Sequence, residues 1–241
     1  MNRILFFQEE IDKPLSLDDS RSLHIINILK LSEGDEISAG IVNGPFGKAR
    51  ITEINSGGIH FQFDFKGIPE PLSPLTLMIG LPRPPTTQRL LKDLTTIGVG
   101  RIIFIASDNT EKSYLSGHLW KGDKYRDFLV DGAQQAMTTA VPSVEKYYSV
   151  HKALSDIPEH SFKIVLTPSS VNTPETFSPE QGCSCFLAVG PERGWSEREI
   201  SMFREKGFIP FCLNNRVLRT ETACLLGSGL ILSKMGFIHS P

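Results

Sequence analysis

Three short stretches hold residues whose types and spacing suit ligand binding: Leu166-Thr167-Pro168-Ser169-Ser170, Gly190-Pro191-Glu192-Arg193-Gly194, and Leu213-Asn214-Asn215-Arg216-Val217-Leu218-Arg219-Thr220-Glu221-Thr222. Each follows an apolar run of the kind that makes a buried strand. In an open α/β sheet, ligands sit outside the carboxyl ends of the strands, where backbone groups of the following loops are free to bind. The glycines of the second stretch let a ligand touch the backbone. The third concentrates polar and cationic residues just ahead of an apolar helix. Alone, a Gly-Pro loop reads as a turn; three such loops in one half of the chain imply a pocket.

Other chemistries lack their motifs. There is no G-x-G-x-x-G after a strand and no G-x-x-x-x-G-K-[ST], which removes local support for a dinucleotide fold or a P-loop. No G-x-S-x-G appears, because Gly227-Ser228-Gly229 lies inside a helical pattern. His151, His160 and His239 are scattered and read as solvated or locally bonded. The four cysteines, Cys183, Cys185, Cys212 and Cys224, lie in apolar context without zinc-type spacing. No metal site is expected, and the thiols read as small reduced hydrophobes.

The elements that must position these loops follow from texture. Over the C-terminal two thirds, apolar strand candidates alternate with helix candidates: 75–79 then 87–97; 102–106 then 124–137; 163–166; 185–189 then 197–206; 208–213 then 221–234. That alternation predicts a mostly parallel sheet with helices on its faces. Ser196-Glu197-Arg198-Glu199 has the spacing of a capping box, and Gly207 sits where a left-handed residue ends a helix. The last helix is apolar almost all round, and Ala223 and Gly227 lie four apart on one face, which permits close approach to another element. Upstream, 4–7, 36–41, 48–54 and 59–65 read as strands between Gly/Asn/Ser turns, with one short helix over 20–31, so a small β-barrel is expected. Three prolines in 68–74 mark a boundary between domains at 1–70 and 75–241.

The chain has 241 residues and a formal net charge of -2, with no stretch of about 20 apolar residues and an N-terminus that turns acidic early. Membrane insertion and secretion are not expected, and a cytoplasmic protein is. The balance also excludes a globally basic nucleic-acid coat, so any such binding must come from a local patch.

Arg216-Val217-Leu218-Arg219-Thr220-Glu221-Thr222-Ala223, with Gly190-Pro191-Glu192-x-Gly194-x-Ser196 ahead of it, resembles the RsmE-type enzymes of the SPOUT superfamily. These are bacterial 16S ribosomal RNA uridine-N3 methyltransferases that use S-adenosylmethionine. His24 to Lys30 and Gly34-Asp35 resemble motifs of the family's PUA-like β-barrel, and Gly98-Val99, Gln135 and Pro142 match isolated positions, so the likeness covers essentially the whole chain. The resemblance implies a trefoil-knotted C-terminal α/β domain, a homodimer, and 16S ribosomal RNA or the small subunit as partner, with no metal. It places the cofactor on Leu166, Thr167, Pro168, Gly190, Pro191, Glu192, Leu213, Asn214, Val217, Leu218, Thr220 and Ala223. Arg219 is the cation that would stabilise a uridine anion, with Arg216 as an alternative that could instead hold a phosphate. Glu221 either accepts the N3 proton or serves as a helix N-terminal acid, and Thr220 doubles as a candidate N-cap. Arg3, Arg21, His24, Lys30, Arg193 and Arg216 are the candidate RNA contacts. Alternatives are a SPOUT enzyme acting on another RNA site, or an RNA-binding assembly protein without catalysis.

Several positions depart from the family pattern: Thr96, Gln134, Ala136 and Thr138 replace the usual Glu, Glu, Ser and Arg, and Arg193-Gly194-Trp195 replaces Gly-Gly-Phe. They spare the cofactor loops and fall where RNA would be faced or supported. Residues 1–72 carry seven Lys plus Arg against eleven Asp plus Glu, the remainder 18 against 16. The barrel that would dock on RNA is therefore acidic, an awkward match unless its cations cluster on one face.

Overall fold

The computed structural model describes residues 2–168, 170, 172, 179 and 182–238. The chain divides into two units: residues up to Pro71 together with Val130–Val141, and Leu72–Leu129 together with Pro142 onward.

The first unit is a four-stranded sheet in sequence order, β1 (Ile4–Phe6), β2 (Glu36–Ile41), β3 (Phe46–Asn55) and β4 (Gly58–Gly67). β1 runs parallel to β2 and the other pairs are antiparallel. A further bridge joins Leu15 to Ile59, each N–H donating to the other's carbonyl at 2.8 and 2.9 Å. Alternation decides the faces: Ala49 and Ile51 point into the core with Ile37, Ala39 and Phe6, while Lys48 and Arg50 point out. The expected helix is one α-turn, α1 (Ser20–Leu23), capped by Asp19 and continued as a π-turn, His24–Ile28, which buries Ile25.

Val130–Val141, expected in the second domain, belongs to this unit through polar bonds. Gln134 takes the Arg3 N–H on its backbone carbonyl and the Leu5 N–H on its side-chain oxygen. The Thr139 hydroxyl donates to the Gly44 carbonyl at 2.6 Å, and Val141 N–H donates to Asn43 Oδ1 at 2.9 Å. Such bonds satisfy buried backbone groups across some 95 to 130 residues of chain, and no periodicity encodes them. They give Gln134 a supporting role inside this unit.

The second unit holds a parallel sheet in the order β10-β8-β9-β5-β6-β7, built from β5 (Ser73–Gly80), β6 (Val99–Ile105), β7 (Ser143–Tyr147), β8 (Phe162–Leu166), β9 (Cys185–Val189) and β10 (Ile209–Phe211). All five residues of β9 are buried, as a strand covered on both faces requires. α4 (Val150–Leu154) and α5 (Glu197–Glu205) pack on the face formed by Met78, Ile103, Val165, Phe186 and Ala188. By parity, Leu77, Phe104, Ile164 and Leu187 face the other side, where α2 (Pro84–Ile97) packs with α6 (Thr220–Lys234). α3 (Tyr125–Gln135) carries the chain from β6 towards β7. Two elements were invisible in the sequence: β7, whose Glu145 and Lys146 disguise an edge strand, and α4, too short to show a period. The expected threading of the last helix depends on the chain from 168 to 182, which lies mostly outside the described residues, as do Ser169 and His239.

Candidate functional site

Strand order reverses beside β5: β6 and β7 lie on one side of it and β9, β8 and β10 on the other. The crevice beyond the carboxyl ends of β5 and β9 is where such a sheet takes a ligand. At this point Glu192 Oε1, after β9, accepts the Arg83 N–H at 3.2 Å, and the Arg83 guanidinium lies 3.5 Å from the same oxygen. Pro191 is buried against Gly80, where an added Cβ would run into its ring. Gly194, at φ +72°, closes a turn by donating to the Pro191 carbonyl at 2.8 Å. A Cβ on Gly190 would stand 2.9 Å from Gly194 Cα and 3.0 Å from Trp195 N, so the loop folds tightly over a glycine it requires.

The other two loops converge on this one. Thr167 N–H donates to the Phe211 carbonyl at 2.9 Å, which ties the end of β8 to the end of β10. Asn214 Oδ1 accepts the Arg216 N–H at 2.9 Å in a side-chain turn. Arg219, not Thr220, holds the N-cap position of α6, with extended backbone and no side-chain cap. Thr220 is instead the first helical residue, buried, and its hydroxyl donates to the Gly190 carbonyl at 3.2 Å, joining the third loop to the second. Glu221 in the first turn pairs with Arg89 of α2 at 3.2 Å, and Arg89 also donates to the Thr86 hydroxyl. The Arg219 side chain is exposed and makes no ion pair among the described residues.

Behind these loops lies a small apolar cleft lined by Leu166, Leu187, Phe211, Leu213, Gly227 and Leu230. Its floor is close-packed, since a Cβ on Gly227 would come within 2.8 Å of Leu187. Of the other expected cofactor residues, Pro168, Asn214 and Glu192 are exposed, Leu218 is half-buried and Ala223 buried. Val217, expected as an apolar wall for the cofactor, is 90% exposed.

Two expected RNA contacts are corrected. Arg3 is 7% exposed, with its guanidinium 3.8 Å above the Phe46 ring and Nε donating to Ser38 Oγ. Arg21 is held by Glu10 at 2.6 Å and Asp19 at 2.7 Å, and donates to the Leu5 carbonyl. Both cations act inside the fold. His24, Lys30, Arg193 and Arg216 are exposed. Arg83 and Arg89 were missed because nothing local marks them; their partners lie more than a hundred residues away.

A buried network braces the site. Glu199, 1% exposed, accepts the N–H groups of Asp108 and Ser196, each at 2.8 Å, which completes the expected capping box and reaches across to the loop after β6. Asn109 donates to the Gly194 carbonyl at 3.0 Å. Arg198 and the Ser196 hydroxyl bind Asp108 and hold its carboxyl below the usual range.

Residues 69–232 match the family described as RNA methyltransferase domain, and residues 17–64 that described as RNA methyltransferase PUA domain. The ribosomal RNA small subunit methyltransferase E of Treponema pallidum is 34% identical over 97% of this chain and 91% of its own. A second protein of that name, from Borreliella burgdorferi, is 31% identical over 98% and 99%. The fold matches the crystal structure of a ribosomal RNA small subunit methyltransferase E from Neisseria gonorrhoeae bound to S-adenosylmethionine, with a TM-score of 0.76, 21% identity and 97% coverage of both chains.

Proposed function

Because this chain belongs to the small-subunit ribosomal RNA methyltransferase E family, we propose that it methylates N3 of one uridine in 16S ribosomal RNA with S-adenosylmethionine as donor. The observation that carries the reading is the convergence of three loops at one end of the sheet, with Thr220 bonded to Gly190 and Arg219 exposed beside them without an ion pair among the described residues. The residues that would hold the cofactor are the backbone groups of the three converging loops, with the apolar side chains of Leu166 and Leu213 behind them. Bound there, S-adenosylmethionine supplies an electrophilic methyl group on a sulfonium centre.

The chain's own residues supply the rest. Uridine N3 is a poor nucleophile until it loses its proton. The exposed Arg219 guanidinium stabilises the charge that then develops on a carbonyl oxygen of the base. Glu221 is fixed by Arg89 through Oε1, which leaves Oε2 to take the proton. Exposed Arg216 and Arg193 hold phosphates and orient the strand, and the first unit serves as the RNA-docking domain. Methyl transfer is measured on small subunits lacking the modification, with cofactor binding followed by calorimetry. Arg219→Ala lowers kcat by about 100-fold and Glu221→Gln by about 100-fold or more, with cofactor still bound. Unchanged turnover in both variants refutes these roles, and a wild-type protein that fails to bind the cofactor refutes the enzymatic reading.

We also propose a homodimer. α6 and the residues after it leave Leu226, Phe237 and Ile238 about half exposed, apolar surface that a second copy would cover. Among the described residues no helix is long and apolar enough to cross a membrane, and the proposed substrate places the enzyme in the cytoplasm.

A further inference from the structure

The first unit, proposed above to dock RNA, has five of its seven Lys and Arg side chains engaged within the fold. Arg3 and Arg21 are built into its interior, Lys48 and Arg50 both pair with Glu36, and Lys66 pairs with Asp64. The second unit has a different kind of surface. Beyond the carboxyl ends of β6 and β7 lies an open cleft of about 400 Å³ with a mixed polar and apolar lining, inside the size range of ligand sites, roughly 300–1,000 Å³. Lys112, His151 and Arg198 line it, and so does Tyr148, a residue 78% exposed.

The acids of this cleft are already engaged. Glu199 is enclosed by two backbone N–H groups, and Asp108 is bound by Arg198 and the Ser196 hydroxyl. Lys112 and the outer edge of the Arg198 guanidinium are left facing solvent around an aromatic ring. An exposed aromatic face flanked by cations is the surface on which an unpaired base stacks while its phosphate is neutralised. A single exposed tyrosine means little by itself; one in a cleft that also holds Lys112 and Arg198, beside the engaged Asp108 and Glu199, has a ligand chemistry.

The position is informative. β6 lies two strands from β9, roughly 10 Å at the usual strand spacing. Asn109, on the loop that lines the cleft, bonds the Gly194 carbonyl in the candidate active-site loop.

We propose that the cleft is a subsite for one unpaired nucleotide of the RNA substrate, next to the methylated position, with its base stacked on Tyr148 and its phosphate held by Lys112 and Arg198. The proposal rests on the RNA methyltransferase reading and adds a place where the substrate is gripped away from the chemistry.

The test is fluorescence anisotropy with a labelled single-stranded oligouridylate of eight nucleotides, using full-length wild type and the Tyr148→Ala, Tyr148→Phe and Lys112→Gln variants. Thermal melting checks that each variant folds. Tyr148→Ala weakens binding roughly 5- to 100-fold, the range for loss of one stacked base, and Tyr148→Phe restores it. Lys112→Gln lowers the slope of log affinity against log salt by about 0.7. Equal affinity of wild type and Tyr148→Ala, or no binding by wild type, overturns the subsite. Methylation of small subunits by wild type reports separately on the parent reading. A protein that methylates RNA but is indifferent to Tyr148 loses only the subsite, and one that needs Tyr148 to bind RNA yet transfers no methyl group loses only the reaction.

Discussion

Arg21 shows how one residue changes meaning between sequence and structure. As a cation in a domain expected to meet RNA, it looks like a phosphate ligand. Folded, its side chain is 18% exposed and bonded to two carboxylates and a backbone carbonyl. Burial disfavours its charge, but Asp19 and Glu10 outweigh that and raise its pKa. The Arg21 hydrogen bond lowers the Asp19 pKa; Glu10 is pushed up by burial but drawn lower overall by Arg21 and the Phe7 N–H. Carboxylates depressed in the folded state contribute stability that is present above their unfolded pKa near 4 and lost as pH falls through the folded value. Arg21→Met therefore costs about 2 kcal/mol at pH 7, less than a fully buried pair because all three groups keep some solvent contact. In urea denaturation from pH 7 to pH 3, the gap between wild type and variant narrows as the acids protonate. A gap that stays constant with pH contradicts the assignment.

At the scale of elements, what could be read from the sequence depended on range. The capping box at Ser196 is an i, i+3 pattern and stands as expected, as does left-handed Gly207 at φ +80°. The strands around the three loops were legible because apolar runs of about five residues between turns have few other uses. The insertion of β9 between β8 and β5 was not, since pairing in a parallel sheet is set by contacts far apart in sequence. The same limit hid the Arg89–Glu221 and Arg83–Glu192 pairs and moved Val130–Val141 from one unit to the other. Glu199 was legible as a cap; its second bond, to Asp108 N–H, makes it a brace between the β6 and β9 loops. Glu199→Ala leaves two N–H groups unpaired, one of them outside α5, and lowers stability by about 2–4 kcal/mol in denaturant melts. Gly190→Ala acts on the loop itself. Its Cβ meets backbone, which has no rotamer to yield, so cofactor affinity measured by calorimetry falls about tenfold or more, the cost of shifting a loop against a well-packed neighbour. Wild-type affinity in Gly190→Ala would mean that the cofactor does not depend on the shape of this loop.

For the whole molecule, net charge was the weakest guide. A value of -2 argued against RNA, yet it averages a first unit whose cations are largely locked in ion pairs with a second unit that presents Arg193, Arg216, Arg219 and Lys112 to solvent. What matters is where unneutralised charge lies. The same reasoning applies to apolar surface. α6 has almost no polar face, and burying one side of it against β5 and β9 leaves Leu226 exposed, with Phe237 and Ile238 beyond its end. Because α6 also begins at Arg219 and Glu221, a second copy docking along it would fix the helix that carries the proposed catalytic pair. Analytical ultracentrifugation should show wild type as a dimer and a Leu226→Glu, Phe237→Glu variant as a folded monomer, since carboxylates buried in a subunit contact cannot be desolvated without a partner. The monomer loses methyl transfer by about tenfold or more if docking orders the N-terminus of α6. A wild-type protein that sediments as a monomer at micromolar concentration refutes the dimer, and a monomeric variant with full turnover refutes the coupling between interface and site.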